Sequence, residues 1–112
     1  MKRLYLVIML AMLATSAAAN IQNDVDSLIS KIEQSSCTFY RNGKAYTPTE
    51  AAEHIKNKWD YAQDEVKDIE TFINEVASKS WFTGKPYMVE CGTQPITIQQ
   101  WLLQLAKSDT TQ

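Results

Sequence analysis

The sequence predicts an α+β domain. A small antiparallel sheet of about three strands packs against about four helices, in the order α-β-β-α-α-β-α. Three observations predict it. Asn42-Gly43 lies between two short runs rich in aromatic residues, a strong hairpin signal because both turn positions need positive φ. Apolar residues recur at helical spacing in four other segments. Tyr87 to Cys91 alternates apolar and polar residues, as a third strand does.

The first element is a leader. Lys2 and Arg3 precede an apolar run from Leu4 to Ala14, and Ala17-Ala18-Ala19 closes it. A basic start, a short apolar run and a small-residue site make a secretory signal peptide cut after Ala19. The run is shorter than the ~20 residues a membrane-spanning helix needs. No second apolar run follows, so the exported chain is expected to be soluble and not embedded in a membrane. Removing residues 1–19 leaves 93 of the 112, one mature domain over 20–112. It also leaves nine basic residues against 13 acidic ones, a net charge of about −4. With no basic stripe, nucleic acid is excluded as a partner.

The mature chain opens with a helix that Asp24 caps and whose stripe is Val25, Leu28, Ile29 and Ile32, ending near Ser35-Ser36. Cys37–Arg41 and Lys44–Thr47 are the hairpin strands. Thr47-Pro48-Thr49-Glu50 starts the next helix: Thr47 caps it, Pro48 takes the first position, and Glu50 completes a capping box. Its buried face is Ala52, Ile55, Trp59, Ala62 and Val66. Asp68 caps a further segment with the stripe Ile69, Phe72, Ile73, Val76, so the stretch is two helices or one bent near Lys67. Ser78 to Tyr87 is a loop, punctuated by Gly84 and Pro86. Gly92 to Pro95 is a turn. Thr97 caps the last helix, with Gln100 in capping-box register and the stripe Ile98, Trp101, Leu102, Leu105. Residues 107–112 form a polar tail.

Cys37 and Cys91 are the only cysteines, and in an exported chain an even count points to a disulfide. Two cysteines, one histidine and no C-x-x-C spacing give no metal site, and nothing implies a cofactor. No catalytic set stands out. Ser78, Lys79 and Ser80 follow a helix instead of opening one, as serine–lysine chemistry requires. Gly84-Lys85 lacks the upstream glycine of a phosphate loop, and Pro86 stands where Ser or Thr belongs.

The candidate binding residues are Arg41, His54, Lys58, Trp81 and Tyr87. Arg41 enters the hairpin turn and could grip a carboxylate or phosphate; it could equally pair with Glu50 or Glu53. Glu50, His54 and Tyr61 line up along the second helix with Lys58 beside them, away from its apolar face. There His54 is either a solvated partner of Glu50 or a tuned base. Adjacent Trp81 and Phe82 cannot both face one core easily: either one is at the surface as a contact point or both are buried, and the sequence leaves the two readings open. Arg41, His54 and Lys58 could share one rim with the Ser78–Tyr87 loop; alternatively Glu50, Glu53 and Glu65 neutralise the two cations.

Arg41-Asn42-Gly43, His54, Lys58, Phe72-Ile73, Ala77-Ser78 and Gly84-Lys85-Pro86-Tyr87 resemble the pattern of the YfeK-like family of small exported bacterial proteins, a domain of unknown function. The chain departs from that pattern at Trp81-Phe82, where members often carry small polar residues. The resemblance implies a Gram-negative periplasmic protein and brings no activity, substrate or partner. The expected function is a binding or inhibitory module of the cell envelope, its partner an envelope protein, a glycan or an anionic ligand. The alternatives are a small hydrolase or lyase using His54 with Arg41 or Lys58, and a structural or stress-related accessory protein.

Overall fold

The computed structural model describes residues 16–110, with side-chain surroundings for residues 21–108. The basic start and apolar run of the expected leader lie outside the described residues. Helix α1 (Ser16–Gln34) leads into strands β1 (Thr38–Arg41) and β2 (Lys44–Tyr46), helix α2 (Pro48–Ala62) and a 3₁₀ turn (Gln63–Glu65). Helix α3 (Ile69–Thr71) runs directly into a π-helical segment (Phe72–Ala77). Strands β3 (Met88–Glu90) and β4 (Ile96–Thr97) and helix α4 (Ile98–Thr110) complete the chain. The α+β class and the element order agree with the sequence, and residues 63–68 divide the middle helical stretch in two.

The sheet has four strands, not about three, in the order β2-β1-β3-β4 with every pair antiparallel. The extra strand is only Ile96 and Thr97, too short to show periodicity. It turns the Gly92–Pro95 stretch into a hairpin connection. Helix α1 also begins earlier than expected. Asp24 lies inside it and does not cap it, because the alanines before it are strong helix formers and no breaker intervenes. Helix α4 continues to Thr110, into the expected tail, and residues 111 and 112 lie outside the described residues.

The caps expected at Thr47, Asp68 and Thr97 form. Thr47 Oγ1 accepts the Glu50 N–H at 3.1 Å while Glu50 Oε1 accepts the Thr47 N–H at 3.0 Å. Asp68 Oδ1 accepts the Thr71 N–H at 2.8 Å, and Thr97 Oγ1 accepts the Gln100 N–H at 3.1 Å. One face of the sheet closes on the helices. Phe39 pairs with Val89, and both pack with Val25, Leu28 and Ile32 of α1, Ile55 and Trp59 of α2, Phe72 and Ile73 of the third helical stretch, and Leu102 of α4. Cys37 and Cys91 are bonded, with Cα atoms 4.3 Å apart. They extend the β1–β3 register by one pair beyond Thr38–Glu90, so the disulfide staples the first strand to the third across the sheet.

Candidate functional site

The site begins with strand alternation. Arg41 is two residues from Phe39, so it shares the core-facing side of the sheet. Tyr46 lies opposite Phe39 and is on that side too. Tyr40 pairs with Met88, so one step further along the antiparallel register Arg41 stands across from Tyr87. At this end of the sheet the apolar filling stops and a polar cluster takes its place. Helix α2 crosses there and supplies His54 and, one turn on, Lys58.

Arg41, Tyr46, His54, Lys58 and Tyr87 form one hydrogen-bond network. Arg41 Nη1 is 2.6 Å from His54 Nδ1, and Nη2 donates to Tyr46 Oη at 3.0 Å. The guanidinium also lies 4.5 Å from the centre of the Tyr46 ring. His54 Nε2 is 3.2 Å from Tyr87 Oη. Lys58 Nζ donates to the Lys79 carbonyl at 2.7 Å and to Tyr87 Oη at 3.3 Å. Arginine can only donate, so His54 Nδ1 is the acceptor and the ring proton sits on Nε2, where it is donated to Tyr87.

The Ser78–Tyr87 loop closes the cluster from above. Lys79 and Pro86 form a bridge, the Tyr87 N–H donates to Ser78 O at 2.8 Å, and the Ser80 N–H donates to Lys85 O at 3.0 Å. Ser80 is buried, and its hydroxyl accepts the N–H groups of Phe82 and Thr83, each at 3.2 Å. This lays Trp81 over Lys58, whose Nζ sits 4.5 Å from the Trp81 ring centre and 4.9 Å from that of Tyr87. The Trp81 Nε1–H is tied to Glu75 O at 2.8 Å, and Tyr61 packs against Trp81 at 5.9 Å.

Two expectations need correction. The sequence puts Lys58 on the polar side of its helix, but the side chain is only 7 % exposed. The loop is the reason: its aromatic rings cover the stem and its carbonyl receives the ammonium. Nor do Glu50, Glu53 and Glu65 neutralise the cations. Among the described residues neither Arg41 nor Lys58 has a carboxylate within ion-pair distance, whereas Lys56 pairs with Asp60 and Lys79 with Glu75. Glu50 is turned back to its own helix start, so His54 has Arg41 and not Glu50 as its neighbour.

The electrostatics follow. Burial, with Arg41 and Lys58 alongside, pushes the His54 imidazole down to about 4, so it is neutral at pH 7. Burial, with Arg41 and Lys79 alongside, lowers the Lys58 ammonium to about 8, leaving it mostly charged at pH 7. Burial raises the Tyr87 phenol, with Arg41 opposing, so it keeps its proton.

All five residues singled out in the sequence line one depression of about 480 Å³, together with Asn42, Lys44, Tyr46, Ser80 and Phe82. A second, of about 230 Å³, shares Arg41, Tyr46, His54 and Tyr87 with it and has Phe39, Ile55 and Ile98 in its wall. Of the two aromatics in the loop, Trp81 is 45 % exposed and Phe82 is 99 % exposed. Sequence reasoning passed over Tyr46. The signal was its place two residues from Lys44, the partner of Arg41, which puts it on the core side once the Asn42-Gly43 turn sets the register. Among the described residues no group of three or more His, Cys, Asp or Glu is placed to hold a metal, and no helix is long and apolar enough to cross a membrane.

The chain matches, over residues 19–109, the profile of a family described as "Family of unknown function (DUF5329)". It is similar to "Uncharacterized protein YfeK" of Salmonella typhimurium strain LT2, 32 % identical over 92 residues that cover 78 % of this chain and 77 % of that protein. No solved structure matches the chain.

Proposed function

The chain belongs to this family of unknown function, DUF5329, and we propose that it is an exported, periplasmic binding module whose site takes the anionic group of a ligand. The observation that carries the proposal is the pair of cations without a counter-charge. Arg41 and the buried Lys58 flank Tyr87, and among the described residues no carboxylate pairs with either. Bringing two cations together and burying one of them costs stability, and a bound oxyanion would offset that cost. The disulfide is consistent with an oxidising compartment. Cleavage after Ala19 would remove four residues of α1 and spare its buried residues Val25, Leu28 and Ile32.

The rival reading is a hydrolase or lyase that uses His54 as a base. It is weaker because the lone pair such a base needs, on Nδ1, is engaged by Arg41. A purely structural accessory role leaves the uncompensated charge unexplained.

The test uses protein exported with its leader and recovered from the periplasm, with Asn20 as the expected first residue. Titration with acetate, phosphate and sulfate should give saturable shifts in the NMR signals of Arg41, Lys58 and Tyr87. Lys58→Met should abolish that response while the protein stays folded, because a thioether fits between the two rings and the relief of a buried charge offsets the loss of its hydrogen bonds to Lys79 O and Tyr87. Absence of any anion response, or a Lys58→Met variant that still responds, would sink the proposal.

A further inference from the structure

Three features of the site narrow its ligand. The first is the Tyr87 proton. His54 Nε2–H and Lys58 Nζ both donate to Tyr87 Oη, at 3.2 and 3.3 Å. A phenol oxygen has two acceptor positions, and these two donors fill them. Approached by donors, with Arg41 close by as well, the Tyr87 hydroxyl keeps its own proton for a further partner, and it lines the depression. Arg41 uses two of its five N–H groups, on His54 and Tyr46. Lys58 uses two of its three, on Lys79 and Tyr87. The spare capacity around Tyr87 is donor capacity, which suits an oxyanion.

The second feature is the rim. Phe82 lines the same depression and is 99 % exposed. It does not lie on a loose tip. Ser80 Oγ holds the Phe82 and Thr83 amides, and the Gly84 N–H donates to Ser80 O at 2.9 Å. Thr83 Oγ1 also reaches Asn42 Oδ1 of the hairpin at 3.3 Å. A large apolar ring held in water by a hydrogen-bonded loop is positioned to be covered by something flat. Trp81, half exposed beside it, widens the apolar edge.

The third feature is size. The depression, at about 480 Å³, has room for a small molecule.

Resting on the anion-binding reading above, we propose that the ligand carries its oxyanion on a ring: the oxyanion meets Tyr87, Arg41 and Lys58, and the ring lies against Phe82 at the rim. A sugar acid and an aromatic acid both have this chemistry.

Calorimetric titration of the exported protein separates the possibilities, with glucuronate, benzoate, glucose, acetate and a poly-glutamate peptide as probes. The expected result is that glucuronate or benzoate binds about tenfold more tightly than acetate, the gain expected from one ring contact. Whichever ring binds better identifies the source, and glucose should not bind. Phe82→Ala, at a fully exposed position, should fold with an unchanged melting temperature and lose most of the advantage of the ring over acetate. If acetate binds as well as both ring acids, the ring part of the proposal fails while the anion reading stands. If no probe binds, both fail. If poly-glutamate binds more tightly than either ring acid, the site serves an acidic protein segment and the small-ligand proposal is overturned.

Discussion

His54 is where the charges and the hydrogen bonds of the site meet, and its chemistry makes a prediction about stability. It is the only histidine, and its folded pKa of about 4 lies below its ordinary 6.5. The unfolded chain therefore binds more protons than the folded one between those values. Stability should be fully present above pH 6.5 and decline as the pH falls toward 4, because the imidazole must then be charged beside Arg41 and Lys58. Below about 4 this contribution is level. Asp68 acts in the same direction in a lower window, since the Thr71 N–H holds its carboxyl below the ordinary 3.8. His54→Gln should thus flatten the fall in melting temperature between pH 6.5 and 4 and leave the steeper acid limb in place. Thermal melts of both proteins at half-unit pH steps check this; parallel curves through that window would mean that His54 is as solvated in the native state as in the unfolded chain.

Among the elements, the hairpin decides whether the site exists, because its turn sets which side of the sheet Arg41 and Tyr46 face. Asn42 has φ 52° and Gly43 φ 81°, the left-handed pair that a two-residue hairpin turn requires. Nothing lies within 4 Å of a Cβ added at Gly43, so a substitution there meets backbone strain and no clash. Gly43→Val should lower stability by about 1–3 kcal/mol, read from the urea midpoint, and an unchanged midpoint would show that the turn relaxes freely. The same turn explains how much of the molecule was legible. Asn-Gly, Thr-Pro-Thr-Glu and the cap at Asp68 act through neighbours in the chain, so local residues predict them. The residues of the rim were legible for the same reason, being close to that turn and on one side of α2. Burial of Lys58 was not, because it depends on a loop 21 residues further on whose carbonyl and rings receive the ammonium. Strand β4 was not, because two residues pair only once β3 is in place. One long-range contact could have been read. Had Cys37 and Cys91 been taken as directly opposed across two antiparallel strands, counting four residues inward from each would have put Arg41 against Tyr87.

At the scale of the whole molecule, that disulfide connects distant parts of the chain. The bonded residues are 54 positions apart, and between them lie β2, α2, the third helical stretch and the loop over Lys58. Every residue of the candidate site belongs to this closed segment. A crosslink of that span restricts the unfolded chain, and the loop-entropy relation gives about 4 kcal/mol of stabilisation. In a domain of this size that is a large share of the whole, since small domains bury proportionally less surface and are stable by only ~5–15 kcal/mol. The fold nevertheless has a continuous core reaching from α1 through the sheet to α4, so its topology does not depend on the bond. Reduction should therefore leave the native structure in place at low temperature and shift its unfolding. The expected outcome is a urea midpoint lowered by the equivalent of about 4 kcal/mol for the Cys37→Ala/Cys91→Ala protein, with the same circular dichroism spectrum as the parent below the transition. The protein with both cysteines should match that variant in reductant. Equal midpoints with and without the bond would mean that the unfolded chain is already held compact around the β1–β3 pairing, and a native spectrum lost on reduction would mean that the core alone cannot support the fold.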